Sequence, residues 1–176
     1  MKELSLHLLD LIENAAEAAA SRVEITITED PARDRLRICV SDDGRGMAPD
    51  LLAGAADPFV TTRSTRAVGL GLALLASAAA QAGGRLRVSS APGAGAQVVA
   101  EFQLSHIDRA PLGALGSTLA AAALLHPDLR LRLRHRGPGG AYQVTPPSRL
   151  RRRPLALARH IEARTAAGRR RIGSIA

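Results

Sequence analysis

Apolar residues recur every three or four positions near the start of the chain. Leu4, Leu8, Leu11, Ala15 and Ala18 fall on one side, with neither Gly nor Pro between them. This spacing predicts one amphipathic helix over residues 3–20. The period then shortens to two. Val23-Glu-Ile-Thr-Ile-Thr28 alternates as a half-buried strand does, and Leu36–Val40 predicts a second strand after the turn-like Asp30-Pro-Ala-Arg-Asp34. A glycine-rich turn follows at 42–46. From Gly69 an Ala-rich run to about Ala82 predicts a second helix, stopped by Gly83-Gly84. Leu86–Ser90 and Gln97–Leu104 predict two further strands, joined by Ala91-Pro-Gly-Ala-Gly95. The order helix, two strands, helix, two strands implies an α/β (α+β) sandwich, with helices on one face of a mixed sheet.

Beyond Ser105 the pattern changes. Leu115–Leu125 predicts a short helix, Leu129–Arg136 an alternating Leu/Arg strand, and Gly137–Gly140 a turn into Ala141–Val144. An Arg-rich tail follows Pro146-Pro147, expected to be helical between 154 and 166 or partly disordered. The expected organisation is a domain over 1–105, a helix–strand–hairpin extension over 106–148, and a tail over 149–176.

Composition changes this picture in one respect. The 176 residues are 46% hydrophobic and 23% charged, as a chain with a packed core should be, but only 2% aromatic. The charge is uneven: residues 1–105 carry 10 Lys and Arg against 13 acids, whereas 106–176 carry 14 Arg against 3 acids. The halves are therefore built for different partners. A coding bias that enriches Ala, Arg, Gly and Pro lowers the weight of Arg count alone, so position matters more. Cys39, the single cysteine, lies in a strand and is expected to be a buried thiol. No stretch approaches the roughly 18 uncharged apolar residues of a membrane span, and no signal peptide is recognised, so a cytoplasmic location is expected.

Four short motifs carry candidate chemistry. On the first helix Glu3, His7, Asp10, Asn14, Glu17 and Ser21 repeat at intervals of four and three, which makes a polar stripe. Such a stripe is ordinarily a solvated face; the functional alternative has Asp10 and Asn14, one turn apart, pointing into a cleft. There an amide oxygen could bind magnesium and a carboxylate could orient a water. Val40-Ser-Asp-Asp-Gly-Arg-Gly-Met47 is either a polar turn or a place where Gly44 and Gly46 admit a flat ligand against the backbone. Gly69-Leu-Gly-Leu-Ala73 is either a helix start with small residues or an N-terminus presenting free N–H groups to phosphate. Gly93-Ala-Gly95 alone reads as a hairpin.

In this order the motifs resemble those of the GHKL superfamily of gyrase, Hsp-type chaperones, histidine kinases and MutL, and in particular its histidine-kinase-like HATPase_c domains. The matching residues are Asp10-Leu-Ile-Glu-Asn14, Asp42-Asp-Gly-Arg-Gly46, Asp57-Pro-Phe-Val-Thr-Thr-Arg63 and Gly69-Leu-Gly71, and the likeness covers residues 3–104. The resemblance implies the Bergerat ATP-binding fold with ATP and Mg2+ as ligands. Asn14 would then ligate Mg2+, Asp42 would contact the adenine amino group, and Gly44, Gly46 and Met47 would shape the adenine pocket. Gly69, Leu70 and Gly71 would face the phosphates, with Thr62 or Arg63 assisting from a lid.

The chain departs from the family at three points. The ATPase branches place a glutamate four residues before the asparagine as general base, where this chain has the shorter Asp10. The final glycine box usually continues into threonine, where this chain has Ala96. No histidine has the context of a phosphoacceptor. The resemblance therefore implies a stand-alone bacterial ATP-binding protein, acting as a kinase or slow ATPase in signalling or regulation. The alternative is a nucleotide-gated interaction module without turnover, its basic tail serving an acidic partner. Ser105-His-Ile-Asp-Arg-Ala-Pro-Leu-Gly113 also resembles a segment of short bacterial ATP-binding proteins found alongside iron hydrogenase genes, which would make the protein partner hydrogenase-associated. The C-terminal elements could equally serve homodimerisation. Thirteen arginines lie between 130 and 171 with only Tyr142 for stacking and no reading motif, which disfavours nucleic acid as a partner without excluding it.

Overall fold

The computed structural model describes residues 3–54, 70–150 and 153–175. Helix α1 (Leu4–Glu17) leads into β1 (Arg22–Asp30) and β2 (Arg35–Asp42), followed by the single-turn-plus α2 (Pro49–Gly54). After α3 (Leu70–Gln81) come β3 (Arg85–Ser90), β4 (Ala96–Gln103), α4 (Leu115–Leu125), β5 (Arg130–Gly137), β6 (Gly140–Val144) and α5 (Pro154–Ile172). All six strands join one sheet in the order β3-β4-β2-β1-β5-β6. The sheet is mixed, as expected, because β5 runs parallel to β1 while every other pair is antiparallel.

The register explains why one face is a core. Ile25 lies opposite Val40 and Leu133, and Ile38 opposite Ile27 and Ala100. Since side chains alternate across a strand, these residues share one face, and the helices cover it. Leu8, Leu11, Ile12 and Ala15 of α1, Leu75 and Ala79 of α3, Leu119 and Ala123 of α4 and Leu157 and Ile161 of α5 are buried against it. The opposite face carries no helix among the described residues. Cys39 lies there, in register with Thr26 and Val99, and is half-buried with Sγ 3.8 Å from Ser41 Oγ. The expectation of a core thiol fails because Leu36, Ile38 and Val40 take the inward positions and leave residue 39 the outward one.

Element boundaries have local causes. The first helix stops at Glu17, short of the expected residue 20, because Ala19 turns left-handed (φ +57°) and swings the chain into β1. Helix α3 ends where expected: Gly83 takes φ +66°, its N–H reaches Ala80 O and that of Gly84 reaches Ala79 O at 2.8 Å. The extension expected over 106–148 contributes α4 and the strand pair β5–β6 to the shared sheet and core. Within the Arg-rich tail, α5 seats Leu157, Ile161, Thr165, Gly168 and Ile172 inward. A Cβ on Gly168 would collide with the Tyr142 ring, so α5 lies directly on β6.

Candidate functional site

Strand β2 delivers Asp42 to the helix-covered side of the sheet, since it shares the parity of Leu36, Ile38 and Val40. Asp42 Oδ1 accepts the N–H groups of Gly44 (2.9 Å) and Ala96 (3.3 Å). The second oxygen has no partner among the described residues. Asp43 turns the other way. Its carboxylate accepts the Ser21 hydroxyl and the N–H groups of Ser21 and Arg22, each at 2.7 Å, and the Ser21 hydroxyl above all holds it below the usual carboxylate range. Of two adjacent aspartates, one ties down the loop and the other keeps a free oxygen.

The glycines around Asp42 are there for close approach of backbone to backbone. Gly46 adopts φ +68°, and a Cβ on it would collide with the Ala91 carbonyl. Gly95 adopts φ +72°, and a Cβ there would collide with the carbonyl of Asp42. The two glycine turns, fifty residues apart in sequence, thus press together, and Gly93 N–H donates to Arg45 O at 2.7 Å. Met47 N–H donates to Ser90 Oγ (2.9 Å), which donates to Gly95 O (2.6 Å). The sequence reading missed Ser90; its signal is parity with Leu86 and Val88, which puts a hydroxyl on the inner face at a strand end.

Helix α1 runs past both ends of the site. Near its C-terminus Ala18 meets Gly44, where a Cβ would come within 2.9 Å of the Ala18 Cβ and carbonyl, and Arg45 N–H donates to Ala18 O. Eight residues earlier, the Cβ position of Gly71 is 3.4 Å from Asp10 Cβ and 3.5 Å from Asp10 Oδ2, so the first turn of α3 rests on Asp10. At 1.5 Å per residue these contacts are about 12 Å apart along α1. Asn14 lies midway, half-buried, and its amide makes no hydrogen bond among the described residues.

Burial raises the Asp10 pKa above its ordinary value, and the neighbouring Glu13 adds to the effect. Glu13 itself is held from α4 by His126 Nε2 at 2.9 Å. No group of three His, Cys, Asp or Glu side chains gathers as a metal cage among the described residues. A lone amide oxygen beside one carboxylate instead fits a magnesium ion that keeps water and phosphate oxygens as its other ligands. His7, a member of the polar stripe, is buried at 3% exposure, and neither ring nitrogen has a partner among the described residues. Burial, its largest cause, lowers its pKa. Thr62, Arg63 and Gly69, with the rest of the Asp57–Arg63 segment, lie outside the described residues, as does the side chain of Leu70; of the GxG motif the structure places Gly71.

Comparison with known proteins gives the family. Residues 2–106 match the family described as histidine kinase-, DNA gyrase B- and HSP90-like ATPase. The sensor histidine kinase ZraS of Salmonella typhi is 39% identical over 90 residues, which cover 51% of this chain and 19% of that protein. The sensory histidine kinase/phosphatase NtrB of Rhizobium meliloti is 38% identical over 98 residues, covering 47% of this chain and 25% of its own. The chain thus spans between 13% and 25% of the length of the curated relatives it matches. Among solved structures, the MutL ATPase domain of Aquifex aeolicus complexed with ADP superposes with a TM-score of 0.59 at 12% identity, over 91% of this chain and 70% of that one. At that identity the likeness speaks for the fold, and it extends beyond residue 106 into the C-terminal elements. By the match over residues 2–106, the chain belongs to the histidine kinase-, gyrase B- and HSP90-like (GHKL) ATPase family and has its Bergerat fold.

Proposed function

We propose that the chain binds Mg-ATP along α1, adenine end at Asp42 and phosphate end at Gly71, and serves as the ATP-binding unit of a kinase or slow ATPase in bacterial signalling. The observation that carries this reading is the pairing of contacts on one helix: Gly44 on Ala18 and Gly71 on Asp10, about two turns apart, with the uncommitted Asn14 amide between them. A flat base would lie against the wall that the two packed glycine turns form, beside the Asp42 oxygen that accepts no hydrogen bond among the described residues. Phosphates fit at the N-terminus of α3, where backbone N–H groups and the helix dipole favour negative charge. Asn14 would hold Mg2+, which screens the phosphate charge.

Asp10 favours a second reading, a nucleotide-gated module without turnover. Its carboxylate sits against Gly71 and is shorter by one methylene than the glutamate of ATPase relatives. Its raised pKa suits a proton acceptor, but its reach is reduced.

Calorimetry with Mg-ATP on the wild type, Asp42→Asn and Asn14→Ala tests the site. Binding by the wild type that weakens at least about tenfold in both variants supports the assignment. Binding that survives Asp42→Asn unchanged places the nucleotide elsewhere. Phosphate transfer to a partner protein, or its absence beside measurable hydrolysis, then separates kinase from ATPase.

A further inference from the structure

The face of the sheet opposite the helices is basic, carries no helix among the described residues and is almost without apolar relief. Nine arginines and three carboxylates (Glu24, Asp30 and Glu101) occupy its outward positions on β1 to β5. On β5 the arginines are Arg130, Arg132, Arg134 and Arg136, every second residue and all exposed. Across the sheet, β3 presents Arg85 and Arg87, also exposed. Glu24 takes up Arg132 at 3.2 Å, and Glu101 takes up Arg85 and Arg35 at 3.0 and 3.4 Å. Arg87, Arg134 and Arg136 form no ion pair among the described residues.

We infer that this open face binds the phosphate backbone of duplex nucleic acid without reading its sequence. The β5 guanidinium groups recur about every 6.6 Å along a straight strand, a row of about 20 Å of positive charge. Arginine forks are matched to phosphate oxygens. The strands between the two arginine rows turn out uncharged Thr26, Thr28, Cys39 and Val99, and their Arg22, Arg35 and Arg37 stand among Glu24, Asp30 and Glu101, so the positive excess lies in the two rows.

Three features favour nucleic acid over other polyanions. An acidic peptide laid on a sheet face finds no edge to pair with and leaves its backbone groups unsatisfied. A folded acidic protein needs an apolar centre to its interface, which this face lacks. An anionic membrane is held most firmly when apolar side chains insert, and the one aliphatic side chain turned outward on β1 to β5, Val99, is only partly exposed. The absence of aromatics from these outward positions also argues for duplex over single strands, whose bases would want stacking platforms. The sequence alone counted Arg130–Arg136 together with the arginines that run to 171; the parallel β1–β5 pairing sets them beside Arg22, Glu24, Thr26 and Thr28.

The test is fluorescence anisotropy of a short labelled mixed-sequence DNA duplex with the full chain, over a range of NaCl concentrations. Micromolar to submillimolar binding near physiological salt is expected, falling steeply as salt rises. Arg134→Gln combined with Arg136→Gln should weaken it about tenfold and reduce the log–log salt slope by about 2. Arg164→Gln with Arg170→Gln on α5 should leave it within about twofold. Mg-ATP binding, on the far side of the sheet, should be unchanged in both double variants and serves as the check on folding. The inference is overturned by no binding at low salt, or by loss on the α5 substitutions and not the β5 ones. It is equally overturned if polyglutamate competes as well as duplex at equal charge, or if anionic vesicles bind more tightly than DNA.

Discussion

Glu29 Oε1 lies 2.7 Å from His135 Nε2, and both side chains are completely buried between sheet and helices. The same carboxylate accepts the Ser174 hydroxyl (2.6 Å) and the Ile175 N–H (2.7 Å), while the Tyr142 hydroxyl lies 3.1 Å from His135 Nδ1. One buried carboxylate therefore joins β1, β5 and the segment after α5. A buried charge persists only if its hydrogen bonds are complete, and removing a partner leaves it uncompensated.

The Glu29 network predicts a particular acid sensitivity. Burial alone would raise the Glu29 pKa, but hydrogen bonds from His135, Ser174 and Ile175 outweigh it and hold the value at about 2, below the ordinary 4.5. A pKa depressed in the folded state means stabilisation that is complete above about pH 4.5 and lost as pH falls toward 2. The difference corresponds to about 3 kcal/mol. Urea unfolding at a series of pH values should show Glu29→Gln destabilised by about that amount at neutral pH. Its stability should also vary less with pH in the acid range. A profile parallel to the wild type's would remove Glu29 as the source.

Gly46→Ala should damage site and fold together. The position combines φ +68° with the Ala91 carbonyl lying where a Cβ would go, so the two glycine turns must part. A cost of about 1–3 kcal/mol in stability is expected, with loss of measurable Mg-ATP binding. Gly93→Ala is the informative control. Its Cβ would meet nothing within 4 Å, so the strain of φ +74° is its only penalty, and nucleotide binding should survive. Equal loss in both variants would mean that backbone strain, not the turn-to-turn contact, governs the site.

The legible part of this protein is what periodicity and chain order can carry. Alternation at Val23–Thr28 and Leu36–Val40 located β1 and β2, and Leu115–Leu125 matched α4 residue for residue. The pairing of β5 with β1 was not legible, because parallel pairing across a hundred residues leaves no local trace. The choice between Asp42 and Asp43 was open to strand parity, since Asp42 continues the inward series of Leu36, Ile38 and Val40. Parity also marks Glu29, after Val23, Ile25 and Ile27, and His135, after Leu131 and Leu133. Two polar residues at the ends of apolar series were a sign of a buried pair, and only the sheet order shows that they meet.

His7→Leu should stabilise the protein. The imidazole is buried and both nitrogens are unpartnered among the described residues, so it bears a desolvation cost that an apolar side chain of similar size would not. A gain of about 1 kcal/mol at neutral pH is expected from thermal or urea unfolding. The effect should grow in acid. Burial lowers the His7 pKa from 6.5, so its neutral form is the one compatible with folding, and stability falls as pH drops below about 6.5. The leucine variant should lack that part of the decline. A destabilised leucine variant would show that the imidazole makes an interaction leucine cannot replace, and the desolvation account would fail.

Asp10 offers the sharpest separation of the two functional readings. If it accepts a proton from water during hydrolysis, turnover must fall on acidification through a pKa above the ordinary 3.8, because burial and then Glu13 raise it. Glu13→Gln removes the like charge and should move that acid limb to lower pH. His126, which holds Glu13 from α4, supplies the control: His126→Gln should leave the limb near its wild-type position if charge, not helix packing, sets it. Asp10→Asn should then retain Mg-ATP binding within about threefold and lose hydrolysis by about a hundredfold or more, the range of a missing general base. Asp10→Glu, which restores the missing methylene, should turn over faster than the wild type. A chain that binds nucleotide but shows no turnover above background, with Asp10→Glu equally silent, is a nucleotide-gated module, and the contact of Asp10 with Gly71 is then a hinge for α3 instead of a site for water.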